Sequence, residues 1–231
     1  MKFNKKEQSS NTYDEMFKQG GYQGVYNLPY RYSPYYPMYN AVLGFLIKYN
    51  VKSILEVGCG SGAFSNMVFD SSSIEYQGFD FSSVAIEKSR QFANDSFNSF
   101  WVGDATKLES YPENYEAIVC TEVLEHIPHD LLCIENWKKG VFCVCSVPNY
   151  DSVYHERFFR SVDDVVQRYG ELIDIYEVIK IKKPVLTDLR LSSYVNFIRW
   201  NRYKPCRLLD LLGFSSFDNV GGWFVFVGFK K

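Results

Sequence analysis

Apolar and polar positions along this chain follow two periods in turn. Short runs rich in β-branched and aromatic residues, over 53–57, 74–79, 99–102, 117–121 and 141–146, are bounded by turn-forming residues and predict buried strands. Between them lie stretches with apolar residues three and four apart, which predict helices over 37–50, 63–69, 83–94 and about 130–137. In the first of these, Met38, Val42, Phe45, Leu46 and Tyr49 share one side. Strand alternating with helix is the pattern of parallel βαβ units, so the expected fold class is α/β, a Rossmann-like, doubly wound and mostly parallel sheet. Right-handed crossovers would put a ligand at the carboxyl ends of the strands. Beyond residue 160 the pattern predicts a helix over 161–169, with Asp163 and Asp164 in its first turn and Gly170 closing it. A strand over 172–181, a short helix over 207–212 stopped by Gly213, and an apolar terminal strand over 222–229 follow. The pattern does not say which segment pairs with that last strand.

The first 40 residues obey neither period. Residues 13–39 carry Tyr13, Phe17, Tyr22, Tyr26, Tyr30, Tyr32, Tyr35, Tyr36 and Tyr39, broken by Pro29, Pro34 and Pro37. The expected organisation is an aromatic-rich lid or cap over 1–40, polar and mobile as far as residue 12, ahead of a main domain over 41–231. Residues 183–206 look like an insertion on the substrate side. The tyrosines suit a water-excluding lid, a cover over the core, or a dimer contact.

The chemistry concentrates where the first strand ends, in Leu55-Glu56-Val57-Gly58-Cys59-Gly60-Ser61-Gly62. Glycines here let backbone N–H groups approach a ligand closely, and the following helix offers its N-terminus to polar or anionic groups. An adenosine-type cofactor is implied, and Gly58-x-Gly60-x-x-Ala63 alone also fits the relaxed dinucleotide fingerprint. Glu56 separates the two, because a carboxylate there would crowd a pyrophosphate but suits a cationic amine or sulfonium. Asp80, at the end of the second strand, lies about 20 residues past the glycines, the spacing of a carboxylate that holds ribose hydroxyls.

Taken in order, that loop, Gly78-Phe79-Asp80, Gly103-Asp104-Ala105 and Glu122-Val123-Leu124-Glu125-His126 resemble class I S-adenosylmethionine-dependent methyltransferases. Val144-Cys145-Ser146-Val147-Pro148-Asn149 is similar to that family's fifth strand and its exit, and the resemblance spans roughly residues 41 to 160. It implies a seven-stranded sheet with an antiparallel terminal strand. It also implies S-adenosylmethionine as cofactor: Glu56, Gly58, Cys59, Gly60 and Gly62 at the methionine moiety, Asp80 with Phe81 at the ribose, Asp104 with Ala105 at the adenine, and Glu122 shaping the methionine pocket. Arg31 could pair with the cofactor's carboxylate. The E-x-x-E-H pattern of Glu122, Glu125 and His126 is similar to that of ubiquinone-pathway O-methyltransferases and small-RNA 2′-O-methyltransferases, both metal-assisted. On a helical turn the three side chains would face one side. They could hold a divalent cation, Mg or Zn, with His129 or His155 as a further ligand. Equally, His126 beside Glu125 could be a metal-free catalytic base or substrate contact, or the cluster could be structural.

Composition narrows the partners. The 231 residues carry a formal net charge of −2, which argues against a large nucleic-acid footprint. No apolar stretch is long enough to span a bilayer, and the first residues lack a signal-peptide core, so no membrane partner is expected. The six cysteines show no C-x-x-C spacing; Cys120, Cys143 and Cys145 fall in predicted buried strands, which fits a reducing, cytoplasmic setting. The expected activity is O-methylation of a small molecule such as a sugar or phenol. RNA 2′-O-methylation, N-methylation and non-catalytic cofactor binding stand as alternatives. Neither the acceptor nor the oligomeric state is legible.

Overall fold

The computed structural model describes residues 9–93 and 99–231. Of the predicted polar start, residues 1–8 therefore lie outside the described residues, as does Asn94, the predicted last residue of the helix over 83–94.

Among the described residues, seven strands form one sheet in the order β3-β2-β1-β4-β5-β7-β6. They are β1 (Ser53–Val57), β2 (Glu75–Asp80), β3 (Phe100–Val102), β4 (Ala117–Thr121), β5 (Phe142–Pro148), β6 (Ile173–Lys182) and β7 (Gly222–Lys230). Strands β1 to β5 pair in parallel, and β7 runs antiparallel to both neighbours, β5 and β6. The expected mostly parallel sheet with an antiparallel terminal strand is what forms. The open question of the last strand has a two-sided answer: it inserts between β5 and β6, and so becomes wholly buried over Gly222–Gly228. Its run of apolar side chains is needed because both faces are covered.

Helices cover both faces. They are α1 (Ser10–Gln19), α2 (Tyr36–Lys48), α3 (Ala63–Ser71), α4 (Ser83–Ala93), α5 (Asp130–Glu135), α6 (Val162–Tyr169), α7 (Leu191–Asn201), α8 (Pro205–Leu211) and α9 (Phe217–Val220). Period-two alternation sends Ile54 and Val144 into the layer that holds Met38, Leu46 and Phe64, and Leu55, Val57, Cys143 and Cys145 into the layer that holds Ile134, Trp137 and Val165. Pro37 sits in the first turn of α2, where its missing N–H costs nothing. A capping box of Ser161 and Asp164 starts α6. Three helices went unread in the sequence: α1 buries only Phe17, and α7 and the four-residue α9 bury no residue, so none displays a clear apolar stripe against the core.

Candidate active site

The carboxyl ends of β1, β2, β4 and β5, with the loop after β3, open into one cavity of about 1630 Å³, roofed by α1 and the segment that follows it. Typical small-molecule pockets measure about 300–1000 Å³, so this one has room for a cofactor and an acceptor together.

At one end lies the glycine loop. Gly58 has φ 72°, and a Cβ built there would meet Val123 Cγ2 at 2.3 Å, so the loop can follow this path beside β4 only without a side chain. Glu56 lines the cavity while its carboxylate accepts a short hydrogen bond from the Tyr76 hydroxyl. Burial pushes Glu56 up to about 8. Asp80 ties the loop to β2: Gly60 N–H donates to Oδ2 at 3.0 Å and Ser82 N–H to Oδ1 at 2.9 Å. Burial raises Asp80 to about 6 in spite of these two bonds. Asp104 accepts from the Thr106 backbone and hydroxyl at 2.8 and 2.7 Å, and Asp104, Ala105, Cys59, Gly60 and Phe81 all line the cavity. Gly62 is not in the lining; it caps α3 with φ 82°. Arg31, expected at the cofactor's carboxylate, lies instead on the outer surface, where its guanidinium meets the Asp70 carboxylate at 3.0 Å.

Beside the glycine loop stands the turn after β4. It is not the helical turn that the spacing of Glu122, Glu125 and His126 suggests. Glu122 takes φ 58°, a left-handed conformation uncommon outside glycine, and His126 N–H closes a turn on Val123 C=O at 2.9 Å. The backbone therefore leaves the helical path at its first residue. Glu122 turns toward β5, its N–H on Ser146 Oγ at 3.1 Å and its carboxylate accepting from the same hydroxyl at 3.3 Å.

Glu125, near Glu122, is fully buried, with no hydrogen-bond partner at either carboxylate oxygen among the described residues. His126 Nε2 stands 3.8 Å from Oε1, too far for a hydrogen bond. Burial, then the neighbouring Glu122, drives Glu125 well above the usual carboxylate range. The tertiary structure adds His155, and ligand atoms of Glu125, His126 and His155 all fall within 4.8 Å of one another. His129, the other candidate, is exposed at the start of α5. Both clustered imidazoles lean on backbone carbonyls: His126 Nδ1 on Tyr154 O at 2.8 Å and His155 Nδ1 on Tyr150 O at 3.2 Å. In His126, donation through Nδ1 leaves the lone pair on Nε2, the arrangement found behind metal-ligating histidines. Burial lowers His126, so it is neutral near pH 7.

Several contributors belong to no sequence motif. Arg157 donates to the carbonyls of Leu124, Ile127 and Pro128 and pairs with buried Asp130 at 3.2 Å, which clamps the turn that carries Glu125 and His126. Tyr13 of α1 packs edge-on against Phe81 and His126, with centroids 4.8 and 6.0 Å away. Asp14 accepts from the Ser82 hydroxyl at 2.5 Å, holding α1 on the start of α4. Lys183, the residue after β6, reaches the cavity with its ammonium 4.6 Å above the Tyr150 ring.

The sequence matches the model of a methyltransferase-domain family over residues 50–184, more than half of the chain. The chain belongs to that family, and its fold is the Rossmann-like one of class I S-adenosylmethionine-dependent methyltransferases. Solved structures of the same fold include the cyclase SpnF (TM-score 0.64, 14% identity, 96% of this chain and 95% of that one). The N-methyltransferase NodS of Bradyrhizobium japonicum WM9, solved with S-adenosyl-L-homocysteine, matches at TM-score 0.55 and 17% identity over 83% of this chain and 85% of its own. Magnesium protoporphyrin IX methyltransferase ChlM of Synechocystis PCC 6803, solved with bound S-adenosylmethionine, matches at 0.52 and 14% over 84% and 80%. A search of the curated proteins finds no significant match. Such different chemistries on one fold leave the acceptor to be argued from the site.

Proposed function

We propose that this chain transfers the methyl group of S-adenosylmethionine to a hydroxyl oxygen of a small molecule, with a divalent cation held by Glu125, His126 and His155. The observation that carries this is the Glu125 carboxylate: fully buried, without a hydrogen bond among the described residues, and gathered with two imidazole nitrogens inside 4.8 Å. A carboxylate in that position is costly unless paired or metal-bound. Glu125, His126 and His155 would hold the cation, their ligand atoms drawing together from the 4.8 Å span they now occupy. When bound, such a cation lowers the pKa of a hydroxyl at neutral pH.

The chain's own residues do the rest. Methyl transfer from a sulfonium needs alignment more than covalent help. Glu56 and the Gly58–Gly60 loop hold the methionine end of the cofactor, Asp80 its ribose, and Asp104 with Ala105 its adenine. His126 is neutral and kept in one tautomer by Tyr154, so its Nε2 lone pair is presented to the cation; without a cation the same lone pair would instead take the hydroxyl proton. Tyr13, Phe17 and Tyr26 form a lid that excludes water. Acidic lining at Glu15, Asp104, Glu109 and Glu122 repels a phosphate chain, which speaks against RNA. The tyrosines near Glu122 (Tyr26, Tyr35, Tyr39 and Tyr150) also suit a cationic amine, so N-methylation is the second reading.

The test is methyl transfer from labelled S-adenosylmethionine to a panel of catechols, sugars and amines, with and without chelator. Transfer to a hydroxyl that chelation abolishes, with stoichiometric metal lost in Glu125→Gln, is expected. Chelator-insensitive transfer to an amine would overturn the O-methyl reading, and absence of S-adenosylhomocysteine binding would overturn both.

A further inference from the structure

Outside the cavity, the chain between β6 and β7 carries an unpartnered face. No residue of α7, α8 or α9 is buried. Helix α7 turns Tyr194 and Phe197 inward and presents Leu191, Val195 and Ile198, at i, i+4 and i+7, as a stripe to solvent with exposures of 78, 55 and 49%. Tyr203, Leu212 and Phe214 beyond it are 84, 71 and 75% exposed. A helix of a globular protein ordinarily turns such a stripe to the core, and a contiguous exposed apolar patch marks an interaction site.

Charge is segregated onto the same segment. Residues 183–214 hold six basic and two acidic residues, a surplus of four in a chain whose net charge is −2. Arg190 and Arg207 pair with Asp188 and Asp210, but among the described residues no carboxylate pairs with Arg199, Arg202 or Lys204. Arg199 and Arg202 flank the stripe of Leu191, Val195 and Ile198.

We propose that this face docks on an anionic lipid surface. Aliphatic side chains neither stack on bases nor bond phosphates, so nucleic acid would leave Leu191, Val195 and Ile198 unused. A twofold contact with a second copy would set the same unpaired cations against each other. An anionic bilayer takes both parts: the stripe enters the headgroup boundary while the arginines meet lipid phosphates. No helix among the described residues is long and apolar enough to cross a membrane, and peripheral docking needs none. The face adjoins the cavity's roof, since Leu189 N–H donates to Tyr32 C=O at 2.8 Å and the Thr187 hydroxyl to Gln23 Oε1 at 2.7 Å.

The experiment is flotation of the full chain with phosphatidylcholine vesicles, with and without phosphatidylglycerol, at low and high salt. Binding to the anionic vesicles alone is expected, weakened by salt. It should drop about fivefold for each charge removed in Arg199→Gln and Arg202→Gln, and should also drop in Ile198→Ser, with thermal unfolding and S-adenosylhomocysteine affinity unchanged because these side chains are exposed. No binding, equal binding to neutral vesicles, or binding indifferent to all three substitutions would overturn the proposal. So would retention of RNA in place of vesicles, or a concentration-dependent dimer abolished by Ile198→Ser.

Discussion

The Nδ1 atom of His126 lies 2.8 Å from the carbonyl oxygen of Tyr154. That contact, between the turn after β4 and the loop after β5, sets which ring nitrogen is free for chemistry. Replacing His126 with Ala should lower turnover by about 10²–10⁴-fold. S-adenosylhomocysteine affinity, measured by calorimetry, should stay within about twofold, because His126 is not among the residues assigned to the cofactor. Full turnover in His126→Ala would remove it from the chemistry.

Glu125→Gln should abolish metal binding without loss of stability. The native carboxylate has no hydrogen bond to lose, and burial already holds it well above the usual range. Elemental analysis and thermal unfolding check the two halves separately. Chelation of the native protein should reduce turnover, and added Mg2+, Mn2+ or Zn2+ should restore it.

Glu56 makes the cofactor-free protein sensitive to pH. Its carboxyl is raised by burial from 4.5 to about 8, so between those values the folded state keeps a proton that the unfolded chain has released. Stability from this group is complete below about pH 4.5 and is lost as pH rises toward 8, with a slope of up to about 1.4 kcal/mol per pH unit. Asp80, raised from 3.8 to about 6, adds the same sign over a lower window. Unfolding followed across this range should flatten in Glu56→Gln. Binding of a cationic ligand favours the ionised form, so calorimetry in buffers of different ionisation enthalpy should show proton release that this variant lacks.

Asp80→Ala should weaken S-adenosylhomocysteine binding by about 1–3 kcal/mol, through lost hydrogen bonds to the ligand and release of the Gly60 and Ser82 N–H groups it now holds. Unchanged affinity would remove Asp80 from the ribose site.

Asp130 is fully buried and meets Arg157, Arg168 and the Tyr169 hydroxyl. Asp130→Ala strands Arg157, which clamps the catalytic turn, and should cost about 3–5 kcal/mol by denaturant unfolding.

Much of the frame could be read from the chain alone. The strands β1, β2, β4 and β5, the glycine loop and the carboxylate at the end of β2 were legible because period, glycine placement and short spacing are local properties. By themselves they determined an α/β sheet with an adenosine-type cofactor loop carrying Glu56. Helix α7 escaped because its apolar stripe faces solvent rather than core. Arg31 misled because its tether, Asp70, lies on a different element. Only the tertiary structure decided that β7 inserts between β5 and β6, that Glu122 bends left-handed out of the expected helical turn, and that His155 rather than His129 joins Glu125 and His126. Each of these depends on contacts between residues far apart in the chain, and no local pattern of hydrophobicity encodes which distant segments share the carboxyl edge of the sheet.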